Sequence, residues 1–278
     1  MPRRVALLDN TIQVDRKKSE TRRRRIEEML SEYDLRVATS ICLLEFKATL
    51  IQECITIHDK LRSVGLYTPV VDRLTESAHR QAKLRGHIFR NLVNVFAPSS
   101  FDVTEQADRR LAEKARLILE RVIPKLYRWF RQESVDAVVH DGIDCTRAFE
   151  PPQKKTAAFG VNLPTCVRNA NKFCHVEEFI RTEGKRLLGQ LETLLREAPE
   201  DKLEQLRRTC DLFRAVLGQP GKQLSHQDCR QAGDVLIALE GREIATHALS
   251  TNASDWGPIC QMIECEFVRV DYPAEKEV

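Results

Sequence analysis

The chain is predicted to fold as an α/β protein with a central parallel sheet and a mainly helical insertion. Three observations predict this. Short apolar runs alternate with helical patterns over the first 65 residues, and the same rhythm returns from about residue 220. The intervening residues 69–218 carry long helical patterns and few strand-like runs. The apolar runs also stop abruptly at turn-forming polar residues, as buried strands do.

The first strand is expected at Arg4–Leu8, where VALL runs straight into Asp9, Asn10 and Thr11. A basic helix follows from about Lys18 to Glu32, then a second strand at Leu35–Thr39. Ser40 is placed to cap the helix ICLLEFKATLIQECITIHDKLRSVG, with Gly65 near its end. Helical patterns then cover 71–95, 104–132, 167–197 and 201–217. They are interrupted by HDGIDCTRAFEPPQKKTAAFGVNLP, whose Pro151, Pro152 and Pro164 predict a long exposed loop or a connector. Ser225 then opens one helix, HQDCRQAGDVLIALEGRE. The strand IATHALS, the short helix DWGPICQMIE and the strand CEFVRVD complete the chain. Residues 1–68 and 219–278 are therefore expected to form one discontinuous core, with 69–218 inserted.

The chain of 278 residues is 42% hydrophobic and 31% charged, long enough for a sizeable core. No apolar run approaches the roughly 18 residues of a membrane span, and the run after MPRR is too short for a signal peptide. A cytoplasmic protein is expected. Nine cysteines, an odd number without paired spacing, point to reduced thiols. Cys145, Cys166, Cys174 and His175 are suitable ligand types for zinc, but their spacing speaks against it. The net charge of +3 does not by itself mark a nucleic-acid binder. Locally, residues 16–25, RKKSETRRRR, hold seven Lys or Arg and one Glu. Such a run forms a solvated helix face or contacts a phosphate backbone, which makes Lys17, Lys18, Arg22, Arg23, Arg24 and Arg25 candidate nucleic-acid contacts. In LYRWFRQE, Arg128 and Arg131 interleave with Tyr127, Trp129 and Phe130; the choice there is between base stacking and helix packing.

Four acids belong to the carboxyl edge of the expected sheet, where open α/β sheets place their ligands. Asp9 ends the first strand, and Glu45 sits in the second turn after the second strand. Asp234 interrupts the apolar run of AGDVLIALEG, and Asp255 follows IATHALS. An acid in an apolar run is unfavourable unless it is paired or metal-bound. Converging carboxylates repel one another, and a divalent cation removes the conflict. Hard oxygen ligands favour Mg²⁺ or Mn²⁺ over zinc.

These stretches resemble a known family. LLDNT is similar to the opening LLDTN of PIN domains, the nucleases named for the PilT N-terminus. TSICLLEFKATL resembles their second motif, AGDVLIALEG their DxLIAAxA motif, and STNASDWGPI their TxNxxDF motif. The matches span about residues 1–65 and 220–272 and leave out the insertion. Asn10-Thr11 reverses the usual Thr-Asn order, and Trp256 replaces a phenylalanine. The resemblance implies a PIN-like three-layer α/β/α core and a metal-dependent ribonuclease. Asp9, Glu45, Asp234 and Asp255 would be its catalytic, cation-binding acids, with Asp228 a possible additional one. Asn10, Thr11, Ser40, Thr251 and Asn252 would hydrogen-bond those acids or a phosphate. The implied chemistry is in-line hydrolysis of a phosphodiester in RNA, or in single-stranded DNA, with Mg²⁺ or Mn²⁺ and no covalent intermediate.

No G-x-G-x-x-G follows the first strand, and neither a Walker A loop nor a G-x-S-x-G elbow occurs. The rival reading is a catalytically silent PIN-like scaffold that binds a protein or RNA partner through its helical insert.

Overall fold

The computed structural model describes residues 3–16, 20–81, 104–134, 137–140, 142–143, 153–155, 158–160, 174–197, 204–219 and 224–272. Strand β1 (Val5–Leu8) is buried along its whole length. A short helix α1 (Asn10–Arg16) starts directly after Asp9, where the sequence reading expects only a turn. Helix α2 (Glu20–Leu30) and strand β2 (Leu35–Thr39) follow. The long helix α3 (Ser40–Val64) is capped by Thr39, not by Ser40: the Thr39 hydroxyl accepts from the Cys42 amide at 3.2 Å. Gly65 ends it in the left-handed region, φ 69°, and returns its N–H to the Leu61 carbonyl.

Helices α4 (Thr68–Gln81) and α5 (Glu105–Ser134) come next. The stretch LYRWFRQE continues α5, and the side chains of Tyr127, Arg128, Trp129, Phe130 and Arg131 lie outside the described residues. Strand β3 (Val138–His140) was not expected from the sequence. The expected loop contains a small antiparallel pair, β4 (Gln153–Lys155) and β5 (Ala158–Gly160). Helices α6 (His175–Glu197) and α7 (Glu204–Gly218) follow. The single helix expected after Ser225 is two: α8 (His226–Gln231) and α9 (Gly233–Gly241). The break falls at Ala232, whose φ −94°, ψ 8° leaves the helical region. Strand β6 (His247–Ser250), helix α10 (Ala253–Met262) and strand β7 (Glu266–Arg269) complete the described chain.

The five-stranded sheet has the order β3-β2-β1-β6-β7, and every pairing is parallel. Although β3 comes from within 69–218, it extends the sheet beyond β2. Alternation along the strands splits the side chains between two faces. Val5, Leu7 and Val37 meet Ile180, Phe213 and Trp256 on one face. Ala6, Leu8 and Leu249 meet Ile12 of α1 and Ile26 and Leu30 of α2 on the other. Burial on both faces explains why β1 reads as an unbroken apolar run. A third cluster joins α3 to α4 and α5 through Phe46, Leu61, Leu74 and Ile123. Among the described residues no helix is long and apolar enough to cross a membrane.

One buried residue on α1 works against this packing. Gln13 is 1% exposed, yet neither atom of its amide has a partner among the described residues. An unsatisfied buried amide costs about 1–3 kcal/mol. Gln13→Met keeps a similar shape without the polar atoms. It is expected to raise the thermal midpoint by about 2–4 °C for each kcal/mol recovered. A melting curve unchanged or shifted downward would count against this account.

Candidate functional site

The strand order reverses at β1: the chain moves outward through β2 to β3, then returns to β6 on the other side. Open α/β sheets form their crevices at such a switch point, outside the carboxyl ends of the strands. Asp9 stands there. Its N–H continues the ladder to the Leu249 carbonyl at 3.1 Å, and the residue is only 1% exposed. Its Oδ1 accepts from the Asn10 amide at 2.6 Å. Its Oδ2 accepts from the hydroxyls of Thr11 at 2.6 Å and Ser250 at 2.7 Å. All these partners are neutral. Burial pushes the Asp9 carboxyl above the usual carboxylate range, and the hydrogen bonds only partly oppose it.

Ser250 is a site residue that sequence reasoning missed. The Leu8↔Leu249 register sets the next residues, Asp9 and Ser250, side by side. The visible signal was a small polar residue ending the strand IATHALS. Ser250 also carries the network onward, because its hydroxyl accepts from the Asn252 amide at 3.0 Å. Thr11 accepts from the Thr251 amide at 3.3 Å. The Asn252 side chain donates to Asp255 at 2.5 Å, which ties Asp255 to the same edge.

The second group of acids hangs from α3 and α9. Glu45, half-buried on α3, rests its carboxylate against Gly233, so closely that a Cβ at that position would collide with Oε1. Asp234 is the next residue along α9. Between the two groups lies Cys42, fully buried, whose thiol donates to the Leu8 carbonyl at 3.2 Å. Burial and then the negative charges of Asp9, Glu45, Asp234 and Glu240 push this thiol well above its ordinary value. The thiol keeps its proton, and acids from separate segments lie within electrostatic reach of it.

Glu240 is the second residue missed. The reasoning that singled out Asp234 in the run GDVLIALEG applies equally to Glu240, which is 3% exposed. It accepts from the Ser40 hydroxyl at 2.7 Å and from the Ile41 amide at 3.4 Å. The Thr39 hydroxyl and the Ile143 amide also donate to it, while burial raises its carboxyl above the usual range. Ser40 is thus occupied with Glu240. Asp228 forms a reciprocal capping box with Ser225 at 2.7 and 3.1 Å, a role that accounts for it fully.

The basic stretch is laced with ion pairs. Arg22 meets Asp15 at 3.6 Å and lies over the Tyr272 ring at 4.7 Å. Arg23 and Arg24 meet Glu20 at 3.1 and 3.3 Å, and Arg25 meets Glu28 at 3.6 Å. The last three arginines are exposed, and surface pairs of this kind contribute about 0–1 kcal/mol, so a phosphate competes readily for them. Lys17 and Lys18 lie outside the described residues, as do Cys145 and Cys166.

As a donor set, carboxylates and hydroxyls fit a hard divalent cation. The Asp9 carboxylate accepts from the Asn10 and Thr11 amides as well as from the two hydroxyls. As the side chains stand, no three His, Cys, Asp or Glu among the described residues are close enough together to hold an ion. Neither protein-family models, curated proteins nor solved structures give a match to this chain.

Proposed function

We propose that this chain is a PIN-like nuclease that hydrolyses phosphodiester bonds in RNA with Mg²⁺ or Mn²⁺. One observation carries the reading. Asp9, Glu45 and Asp234, from separate segments, bear on the same buried thiol at the switch point of a parallel sheet. Asp9 is buried, and its described hydrogen-bond partners are all neutral, so a cation there would relieve its burial.

In this reading Asp9, Glu45 and Asp234 hold the cation, and Asp255 completes the set from α10. When bound, the cation supplies water activation and charge neutralisation at the phosphate. Thr11 and Ser250 fix the Asp9 carboxylate, while Asn252 fixes Asp255. Arg23, Arg24 and Arg25 on the exposed face of α2 neutralise the phosphate backbone.

Two observations favour the scaffold reading: the acids stand too far apart as placed, and the arginines of α2 already have acidic partners. Labelled single-stranded RNA and DNA, incubated with Mn²⁺, Mg²⁺ or EDTA, separate the two. Cleavage of RNA with either ion and none in EDTA is expected. Absence of cleavage together with absence of Mn²⁺ binding by calorimetry would leave the scaffold.

A further inference from the structure

We infer that Glu240 is a positioning residue, which anchors the start of α3 to α9 and thereby sets Glu45 beside Asp234. The inference rests on the reading of these acids as a cation site.

Beyond the apolar core that they share, helices α9 and α3 meet at two polar contacts. At the first residue of α9, Gly233 lies against the Glu45 carboxylate. Near its last, Glu240 accepts from Ser40 and Ile41 in the first turn of α3. The shared apolar core holds the two helices together but does not by itself fix their register; two polar contacts about 10 Å apart along α9, at about 1.5 Å per residue, do. The register matters, because a slip of one residue turns a helical side chain by about 100°. Such a turn would carry Glu45 away from Asp234.

Helix capping does not account for Glu240. Thr39 already caps α3 through the Cys42 amide. Glu240 instead reaches across from another helix, and its donors come from the end of β2, the first turn of α3 and the segment after β3. A carboxylate buried to 3% exposure is unfavourable there unless several donors hold it, and here four do. The partly positive N-terminus of a 25-residue helix adds to that hold. The acid is the one side chain of this length that accepts from all four at once.

The test uses the full chain with Glu240→Gln, which keeps the volume but turns one acceptor into a donor, and Ser40→Ala, which removes one donor. Mn²⁺ affinity is read by calorimetry, and RNA cleavage is followed against Mn²⁺ concentration. Glu240→Gln is expected to need about 10-fold more Mn²⁺ or beyond, the scale of residues that orient metal ligands. At saturating Mn²⁺ its kcat and its KM for RNA should return to near the parent values. Ser40→Ala should shift Mn²⁺ dependence in the same direction by less, and it decides the matter if Glu240→Gln does not fold. An unchanged Mn²⁺ dependence overturns the inference, as does a kcat reduced equally at every Mn²⁺ concentration. If the parent chain neither binds Mn²⁺ nor cleaves RNA, the nuclease reading fails separately. The anchor is then decided by hydrogen exchange at the Ile41 and Cys42 amides: faster exchange in Glu240→Gln supports it, and unchanged exchange overturns it.

Discussion

Asp9→Asn is expected to abolish RNA cleavage and, at neutral pH, to make the protein more stable. The first effect follows from losing a charged cation ligand, with a loss of about 10³-fold or more, on the order of 4 kcal/mol of transition-state stabilisation. The second follows from burial. Asp9 is 1% exposed, and desolvation holds its carboxyl above its ordinary value of about 4 in the folded chain. Between about pH 4 and that raised value the folded chain binds the proton more tightly than the unfolded chain does. Stability linked to Asp9 is therefore fully present below about pH 4 and falls as the pH rises towards the native value. Asparagine removes this loss. Its carbonyl can accept from the Asn10 amide, and its NH₂ can donate to the Thr11 and Ser250 hydroxyls, which serve as donors or acceptors. Thermal melts of both proteins at pH 4.5 and 7.5 test this: the mutant should gain at 7.5 and gain less at 4.5. Mn²⁺ should raise the midpoint of the parent chain only. Equal midpoints at both pH values would sink the account of Asp9 as an uncompensated buried acid.

Gly233→Ala should separate activity from stability in the opposite sense. Alanine gains about 1 kcal/mol over glycine in a helix, which favours folding. The added Cβ would meet the Glu45 carboxylate, the far end of a flexible side chain, so Glu45 swings aside and the fold persists. The thermal midpoint is expected to stay within about 3 °C of the parent value, given the offsetting terms. Cleavage should fall by about 10-fold or more, and Mn²⁺ affinity with it, as for other displaced ligands. Full activity in a stable Gly233→Ala protein would show that Glu45 does not act from beside Gly233.

Strand β1 was legible because a central strand of a parallel sheet is apolar on both faces and stops at polar residues; β2, β6 and the edge strand β7 were legible as short runs rich in β-forming residues bounded by polar ones. Strand β3 was not. It has only three residues, and Val138 and Val139 are 56% and 37% exposed, so they form no hidden apolar block. Helix α1 was hidden because Asp-Asn-Thr favours turns as readily as helix starts. The break at Ala232 was hidden too, since helical periodicity runs through it without proline.

The amino-acid pattern alone determined the α/β class and placed Asp9 at the end of a buried strand, because both depend on local alternation of apolar and polar residues. The helices within 69–218 were readable for the same reason, whereas the strands there were not. Only the tertiary structure decided that Ser250 holds Asp9, that Glu45 lies against Gly233, and that Glu240 rather than Asp228 turns inward. Those pairings join residues about 190 to 240 positions apart, and no local preference encodes them. They depend on strand register and helix-on-helix placement, which exist only once the sheet has formed.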